Sequence, residues 1–297
     1  MELSERLRMT ASMVEPGSRV ADVGCDHGYV AIHLVQSGVC PWVLAMDVNR
    51  GPLERAREHI REAGLSSRIE VRLSDGLHAM EWKEGRPEAD TLLCAGIGGR
   101  LACRIMEESR EKLALMRRVI LQPQSEISRV RKFLLERGYR IEAEDMVEED
   151  GKFYPMMRAV PADSGEKRAR KNLPEQEKLP EQENLPKREN LPEGENLSDR
   201  EEVWSREELR FGKRLIEERH PVLERYLRRE ESRCRKLEQN LSGIPGTRSA
   251  DRREAVLEEL ADVRLALKRF EKYPASGATD PASETVDLPV PRGEEDL

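Results

Sequence analysis

No apolar run in this chain is long enough to span a membrane, and its start, Met1-Glu-Leu-Ser-Glu-Arg6, has none of the features of a signal peptide. A cytoplasmic protein is expected. Cysteine is scarce. The five thiols are an odd number with no Cys-x-x-Cys pair, which excludes a disulfide framework and the usual zinc spacing. Cys25, Cys40, Cys94, Cys103 and Cys234 are expected as reduced thiols filling small apolar spaces, and no metal is expected. The Gly-x-Gly-x-x-Gly fingerprint of dinucleotide-binding folds is also missing. Apolar residues are too few for one globule: with 37% charged residues and a mean hydropathy of -0.72 over 297 residues, part of the chain must lie outside the core.

The net charge of -7 is unevenly spread. Residues 1–160 carry 24 basic and 26 acidic side chains, residues 161–200 carry 8 and 10, residues 201–273 carry 18 and 16, and residues 274–297 carry 1 and 6. Most of the deficit sits in the last segment, so a basic face for a polyanion on the folded parts is not excluded.

The first 160 residues alternate strand and helix signals and call for a parallel sheet. Leu3, Leu7 and Val14 suggest a leading helix before Pro16-Gly17. Strands are expected at Val20–Val23, Trp42–Met46, Ile69–Leu73, Thr91–Ala95 and Val119–Leu121, with helices over Tyr29–Ser37, after Gly51-Pro52, and from Ser125, its expected cap, to Arg137. Ile141–Val147 and Phe153–Val160 then form a hairpin across Asp150-Gly151. The fold class is α/β: five strands with crossovers, closed by an antiparallel hairpin, an arrangement that resembles the usual methyltransferase sheet.

Beyond Pro161 a six-residue unit repeats, placing Leu173, Leu179, Leu185, Leu191 and Leu197 in phase, four of them before proline. Such a proline period forbids a continuous helix, so 161–202 is expected to be a disordered linker. Packing resumes at 203–273. Two apolar stripes, Leu223, Leu227, Cys234, Leu237, Leu241 and then Val256, Leu260, Val263, Leu267, Phe270, flank a breaker loop and predict an antiparallel coiled-coil hairpin. A disordered acidic tail is expected over 274–297.

The most informative stretch is Val20-Ala-Asp22-Val-Gly24-Cys25-Asp26-His27-Gly28-Tyr29, a strand that breaks into a glycine turn and opens a helix. Gly24 and Gly28 let the backbone approach a ligand, beside helix-start amides. Asp22 and Asp26 would repel a pyrophosphate; they suit a cofactor with an ammonium and a sulfonium, S-adenosyl-L-methionine. Ligands of open parallel sheets sit beyond the carboxyl ends of the strands. Asp47 ends the second strand, where a carboxylate can accept both ribose hydroxyls, and Asp75 follows the third, where it can accept the adenine amino hydrogen. Gly96-Ile97-Gly98-Gly99 follows the fourth strand. Amine methyltransferases often carry Asn/Asp-Pro-Pro-aromatic there; glycines instead offer a flat backbone wall for a base.

Taken together, Leu3-Ser-x-Arg6-Leu7, Ala21-Asp-Val-Gly-Cys-Asp-His27, Asp75-Gly76-Leu77, Ala95-Gly-Ile-Gly-Gly99 and Leu121-Gln122-Pro123 resemble the bacterial TrmK family, the tRNA (adenine-22-N1)-methyltransferases. The resemblance covers residues 1–160 and, in outline, 203–273. It implies a Rossmann-like class I domain followed by a helical coiled-coil domain, S-adenosyl-L-methionine as cofactor and tRNA as partner. Asp47 stands where the family has Glu, Ile97 where Met is common and Gln124 where Asn follows Gln-Pro; the repeat has no family counterpart.

The resemblance carries over residue by residue. It implies that Asp22, Gly24, Gly28, Asp47, Asp75, Gly76 and Ala95 would hold the cofactor and that Arg6, Gly99 and Gln122-Pro123-Gln124 would meet the substrate. Asp26, His27, Gly96 and Gly98 sit at the reacting atoms, with Asp26 first in line to accept the amino proton and a carbonyl near Ala95 or Gly96 second. His27 either stacks on the base or anchors its loop. N1 lies on the pairing edge, so the target adenine must be drawn out of its stack. Arg225, Arg228 and Arg229, in the most basic stretch of the folded chain, are expected to meet phosphate. The sequence leaves the oligomeric state open, with a monomer favoured. The alternatives are methylation of a protein or small molecule, a non-catalytic RNA-binding protein with a relic pocket and, more remotely, a nicotinamide dehydrogenase.

Overall fold

The computed structural model describes residues 3–162, 203–243 and 246–271. The expected linker (but for its first two residues) and acidic tail lie outside them. Seven strands form one sheet: β1 (Arg19–Val23), β2 (Trp42–Asp47), β3 (Ile69–Leu73), β4 (Thr91–Ile97), β5 (Arg118–Pro123), β6 (Tyr139–Glu149) and β7 (Lys152–Pro161). Their spatial order is β3-β2-β1-β4-β5-β7-β6, with the first five parallel and the last two an antiparallel hairpin. Helices α1 (Glu5–Ser12), α2 (Tyr29–Gln36), α3 (Arg50–Glu62), α4 (Gly99–Glu108), α5 (Arg110–Leu113) and α6 (Ile127–Glu136) accompany the strands.

The central strands are apolar almost throughout because both faces are covered. Successive side chains point to opposite faces, so Val20, Val43 and Ala45 join one core with α1–α3, while Ala21, Val23, Leu44 and Met46 join the other with α4 and α6. Strand existence and order of elements match the sequence reading. Strand ends do not: β4 runs through a bulge to Ile97, and the hairpin strands are longer than their apolar cores because main-chain pairing continues past the last buried side chain. Ser125 is not the cap of α6. The helix starts at Ile127 behind Glu126, whose φ of 50° sets a left-handed entry, and Ser125 instead offers its carbonyl to the Gly99 amide.

The C-terminal part comprises α7 (Arg206–Phe211), α8 (Lys213–Glu217), α9 (Pro221–Ser242) and α10 (Thr247–Glu271). Gly212, at a φ of 99°, separates α7 from α8. Ser205 and Glu208 form a capping box at the start of α7, and Pro221 opens α9. Helices α9 and α10 run antiparallel: Glu231 pairs with Arg264, Arg233 with Glu259 and Glu238 with Arg253, one number rising as the other falls. The expected leucines form the seam, with Glu230 at the one turn where the spacing asks for an apolar residue.

The boundary drawn at residue 203 is not a boundary in packing. Trp204 belongs to the same buried cluster as Val23 and Leu134, and Phe211, Leu215, Leu227 and Val263 pack with Met146 of β6. Beneath them Arg131, 1% exposed, donates to Glu144 at 2.7 Å and to the carbonyls of Leu209 and Arg210. The other Glu144 oxygen accepts the Arg214 amide. A charge pair out of water needs such completion of its hydrogen bonds, and the helical segment supplies it.

Candidate active site

A cavity of about 420 Å³ opens at the carboxyl ends of β1, β2, β4 and β5. Its wall contains Arg6, Asp22, Gly24, Asp26, His27, Asp47, Ala95, Gly96 and Gln124, nine of the residues singled out in the sequence. Leu7, Cys25, Tyr29, Val30, Asn49, Pro52 and Ile97 complete it. None of these seven was given a role from the sequence: Leu7, Cys25, Tyr29, Val30 and Ile97 lie in or beside the motifs, and Asn49 and Pro52 arrive with the start of α3.

The glycine turn is tied to β2. The amides of Gly24 and Cys25 donate to the Met46 carbonyl, and the Asp26 amide donates to Asp47 Oδ2 at 3.3 Å. Asp47 Oδ1 accepts the Asn49 amide at 2.8 Å. The Asp47 carboxylate thus braces both loops and keeps lone pairs for a ligand. Gly28 enters α2 at a φ of 77°, and a Cβ there would press on Ala56 at 3.2 Å, so its first role is packing. Asp26 has a φ of 49°, a conformation Asp tolerates better than most residues, and its side chain is 69% exposed with Oδ1 3.4 Å from His27 Nε2.

Asp22 gives the cavity its electrostatics. It is 3% exposed, its Oδ2 has no hydrogen-bond partner, and burial followed by the Asp47 charge raises its pKa to about 7. A buried acceptor with no donor, beside a second carboxylate, fits a cationic ligand. The ammonium and sulfonium of S-adenosylmethionine fit it; a pyrophosphate does not. Burial first, then nearby carboxylates, push the Cys25 and Cys94 thiols far above their ordinary range, which disfavours a thiolate beside the cavity.

The remaining marked residues fall in three places. Gln122, fully buried, and Pro123 end β5 beneath the wall. Gly98 caps α4 and Gly99 opens it, where a Cβ would collide with the Ser125 carbonyl. Asp75 and Gly76 lie outside the wall, with Asp75 3.0 Å from Arg104; the carboxylate expected to reach the adenine edge is held by a guanidinium. The three arginines of α9 are also engaged: Arg225 with Glu148 at 3.3 Å, Arg228 with Glu224 at 2.6 Å, and Arg229 with the Gly151 carbonyl and the Phe153 ring. Two of them therefore clamp α9 to the β6–β7 hairpin. Sequence spacing could not reveal this, since their partners lie 77 and 78 positions away. A stack of His27, Tyr29 and His59, with centroids 5.1–6.0 Å apart, was likewise not foreseen.

Sheet order and site together define a Rossmann-like methyltransferase, and residues 3–157 match the methyltransferase domain family. Over 163 residues, 55% of this chain and 67% of the relative, the sequence is 35% identical to the tRNA (adenine(22)-N(1))-methyltransferase of Bacillus subtilis. The chain belongs to that family, the TrmK enzymes. Among solved structures, a protein from Listeria monocytogenes aligns with a TM-score of 0.72 at 26% identity, covering 90% of this chain and all of that one. Streptococcus pneumoniae Sp1610 in complex with S-adenosyl-L-methionine aligns with a TM-score of 0.67 at 28% identity over the same shares.

Proposed function

We propose that this protein, in the cytoplasm, transfers the methyl group of S-adenosyl-L-methionine to N1 of adenine 22 in tRNA. The observation that carries this reading is one cavity with two unlike ends, in a chain of this family. Asp22, Asp26 and Asp47 gather at the β1–β2 end, and a wall of Ala95, Gly96 and Ile97 leads to Arg6 and Gln124 at the other.

When bound, the cofactor supplies an electrophilic methyl on its sulfonium. Asp22, 3% exposed and with no donor on its Oδ2, would hold the ammonium, and the spare lone pairs of Asp47 would accept the ribose hydroxyls. N1 of adenine carries its own lone pair, so these residues need no strong base and placement dominates. Gly96, without a side chain, keeps the wall flat where the base must lie. Methylation leaves the ring positive, and the amino group then sheds a proton. The Asp26 carboxylate, exposed at the rim, accepts it.

The direct test is mass spectrometry of tRNA from a strain lacking this protein. Loss of 1-methyladenosine at position 22, restored by the wild-type chain and not by Asp22→Asn, is expected. Intact modification in the deletion strain would refute the reading and leave a protein or small molecule as the methyl acceptor.

A further inference from the structure

Arg6 is the one guanidinium on the cavity wall among the described residues, set against three carboxylates. It is held as a charge that no carboxylate has closed. Its Nη1 donates to the neutral amide oxygen of Gln122 at 2.9 Å, and its guanidinium lies 5.3 Å from the Tyr154 ring centre. The nearest carboxylate, Glu149, stands 3.9 Å from Nε and takes the Arg6 main-chain amide instead, at 3.2 Å. Arg131 shows what a closed pair looks like in the same protein, at 2.7 Å to Glu144.

Gln122 is arranged to maintain this. Its Oε1 accepts from Arg6 and from the Gly96 amide at 3.0 Å, and only an oxygen can face two donors. The amide orientation is thereby fixed, and its Nε2 is left fully buried without a partner. Such a group is costly. The arrangement fixes Arg6 and turns the Gly96 amide away from the cavity. A Cβ on Gly96 would lie 3.5 Å from Arg6 Nη1 and 3.7 Å from Gln124 Nε2, so two donors bracket a residue that has no side chain.

Resting on the methyltransferase reading above, we propose that Arg6 and Gln124 form an oxyanion seat on the β4–β5 side of the cavity, across from Asp47, with Gln122 and Tyr154 as positioning residues. A carboxylate or phosphate oxygen suits a guanidinium and an amide donor side by side. Two sources bring that chemistry here: the carboxylate of the cofactor's methionyl group and a phosphate beside the target adenosine. Either would sit in a cavity that also carries three aspartates, against which Arg6 is the one fixed cation on the wall among the described residues.

The test uses the full chain and reads binding. Wild type and Arg6→Gln are titrated with S-adenosylmethionine and its decarboxylated analogue, and with tRNA carrying a neutral methylphosphonate 5′ or 3′ of adenosine 22. The expected result is coupling in one series: removing that anion weakens wild-type binding about tenfold and leaves Arg6→Gln unchanged. The series that couples identifies the source. Because Arg6 also ties α1 to the sheet, Gln122→Glu serves as a second variant. A carboxylate there would close the ion pair without deleting Arg6, and should reproduce the loss with the melting temperature retained. If neither series couples, or both variants lose every ligand by the same factor, there is no seat and Arg6 is a structural tie. Failure of methyl transfer at adenine 22 with coupling intact would instead strike the proposed function alone.

Discussion

The sheet and the helical hairpin are stabilised in different ways. Around β1, β2, β4 and β5 the interior is almost wholly apolar, and two of its four buried polar side chains, Asp22 and Gln122, each keep an atom without a partner beside the cavity, while Asp47 and Thr91 are hydrogen-bonded. In α9 and α10 a single apolar seam is wrapped in ion pairs: Glu224 with Arg228, Glu231 with Arg235 and Arg264, Glu238 with Arg253. Exposed pairs of this kind contribute little each. In the first region unsatisfied polarity marks function; in the second, satisfied polarity marks a surface whose charges a polyanion must recruit from existing partners. The sheet and the C-terminal helices meet at Arg131 of α6 and Glu144 of β6, a buried pair completed by the Leu209 and Arg210 carbonyls and the Arg214 amide.

Breaking that junction should have the largest effect. Arg131→Met leaves Glu144 buried and unpaired, and should destabilise the chain by about 3–5 kcal/mol in a denaturant melt. The double substitution Arg131→Met with Glu144→Leu should recover much of this. If the single and double variants melt alike, the junction is not a charge pair in the energetic sense.

Next in size is Asp22→Asn, which should act in opposite directions on stability and binding. Folded Asp22 keeps its proton to about pH 7, against 3.8 for the ordinary side chain, so the folded state binds more protons between those values. Stability from this group therefore falls as pH rises through that window, and Asp22→Asn should stabilise the ligand-free protein at pH 8 by roughly 1–4 kcal/mol. S-adenosylmethionine affinity should move the other way. In wild type it should rise between pH 6 and 8 as the carboxylate ionises; in Asp22→Asn it should be weaker by about tenfold and flat with pH. Calorimetry across that range decides it, and a sloping profile in the variant would assign the titration to another group.

The legibility of the chain followed the same division. The order of strands, the glycine turn and Asp47 were readable because a buried parallel strand ending in an acidic or glycine-rich turn has few other interpretations. The pairing of Asp75 with Arg104, 29 positions on, was not legible, because it needs the packing of α4 against the strand ends. The arginines of α9 were readable as basic but not as clamps, since Glu148 and Gly151 are distant in sequence. Gln122 gave no signal as a positioning group: nothing in a Gln-Pro step shows that its oxygen will face two donors.

A moderate effect is expected from replacing Arg225, Arg228 and Arg229 together by alanine. Binding of tRNA should weaken and its salt dependence should flatten by about one unit for each phosphate no longer neutralised, with S-adenosylmethionine affinity unchanged. An unchanged salt slope with a lowered melting temperature would mean that the three only dock α9. The smallest effect belongs to Asp75→Asn. With its carboxylate turned to Arg104, the substitution should alter S-adenosylmethionine affinity by less than about twofold; a large loss would return Asp75 to the adenine edge.

The most direct measurement is methyl transfer by the full chain to a tRNA transcript, mapped to the nucleotide, with adenosine or 1-deazaadenosine at position 22. One methyl group is expected at N1 of residue 22 in the first transcript and none in the second, which has carbon where the nucleophile should be. Transfer to the deaza transcript, or to another nucleotide in either, would contradict the assignment.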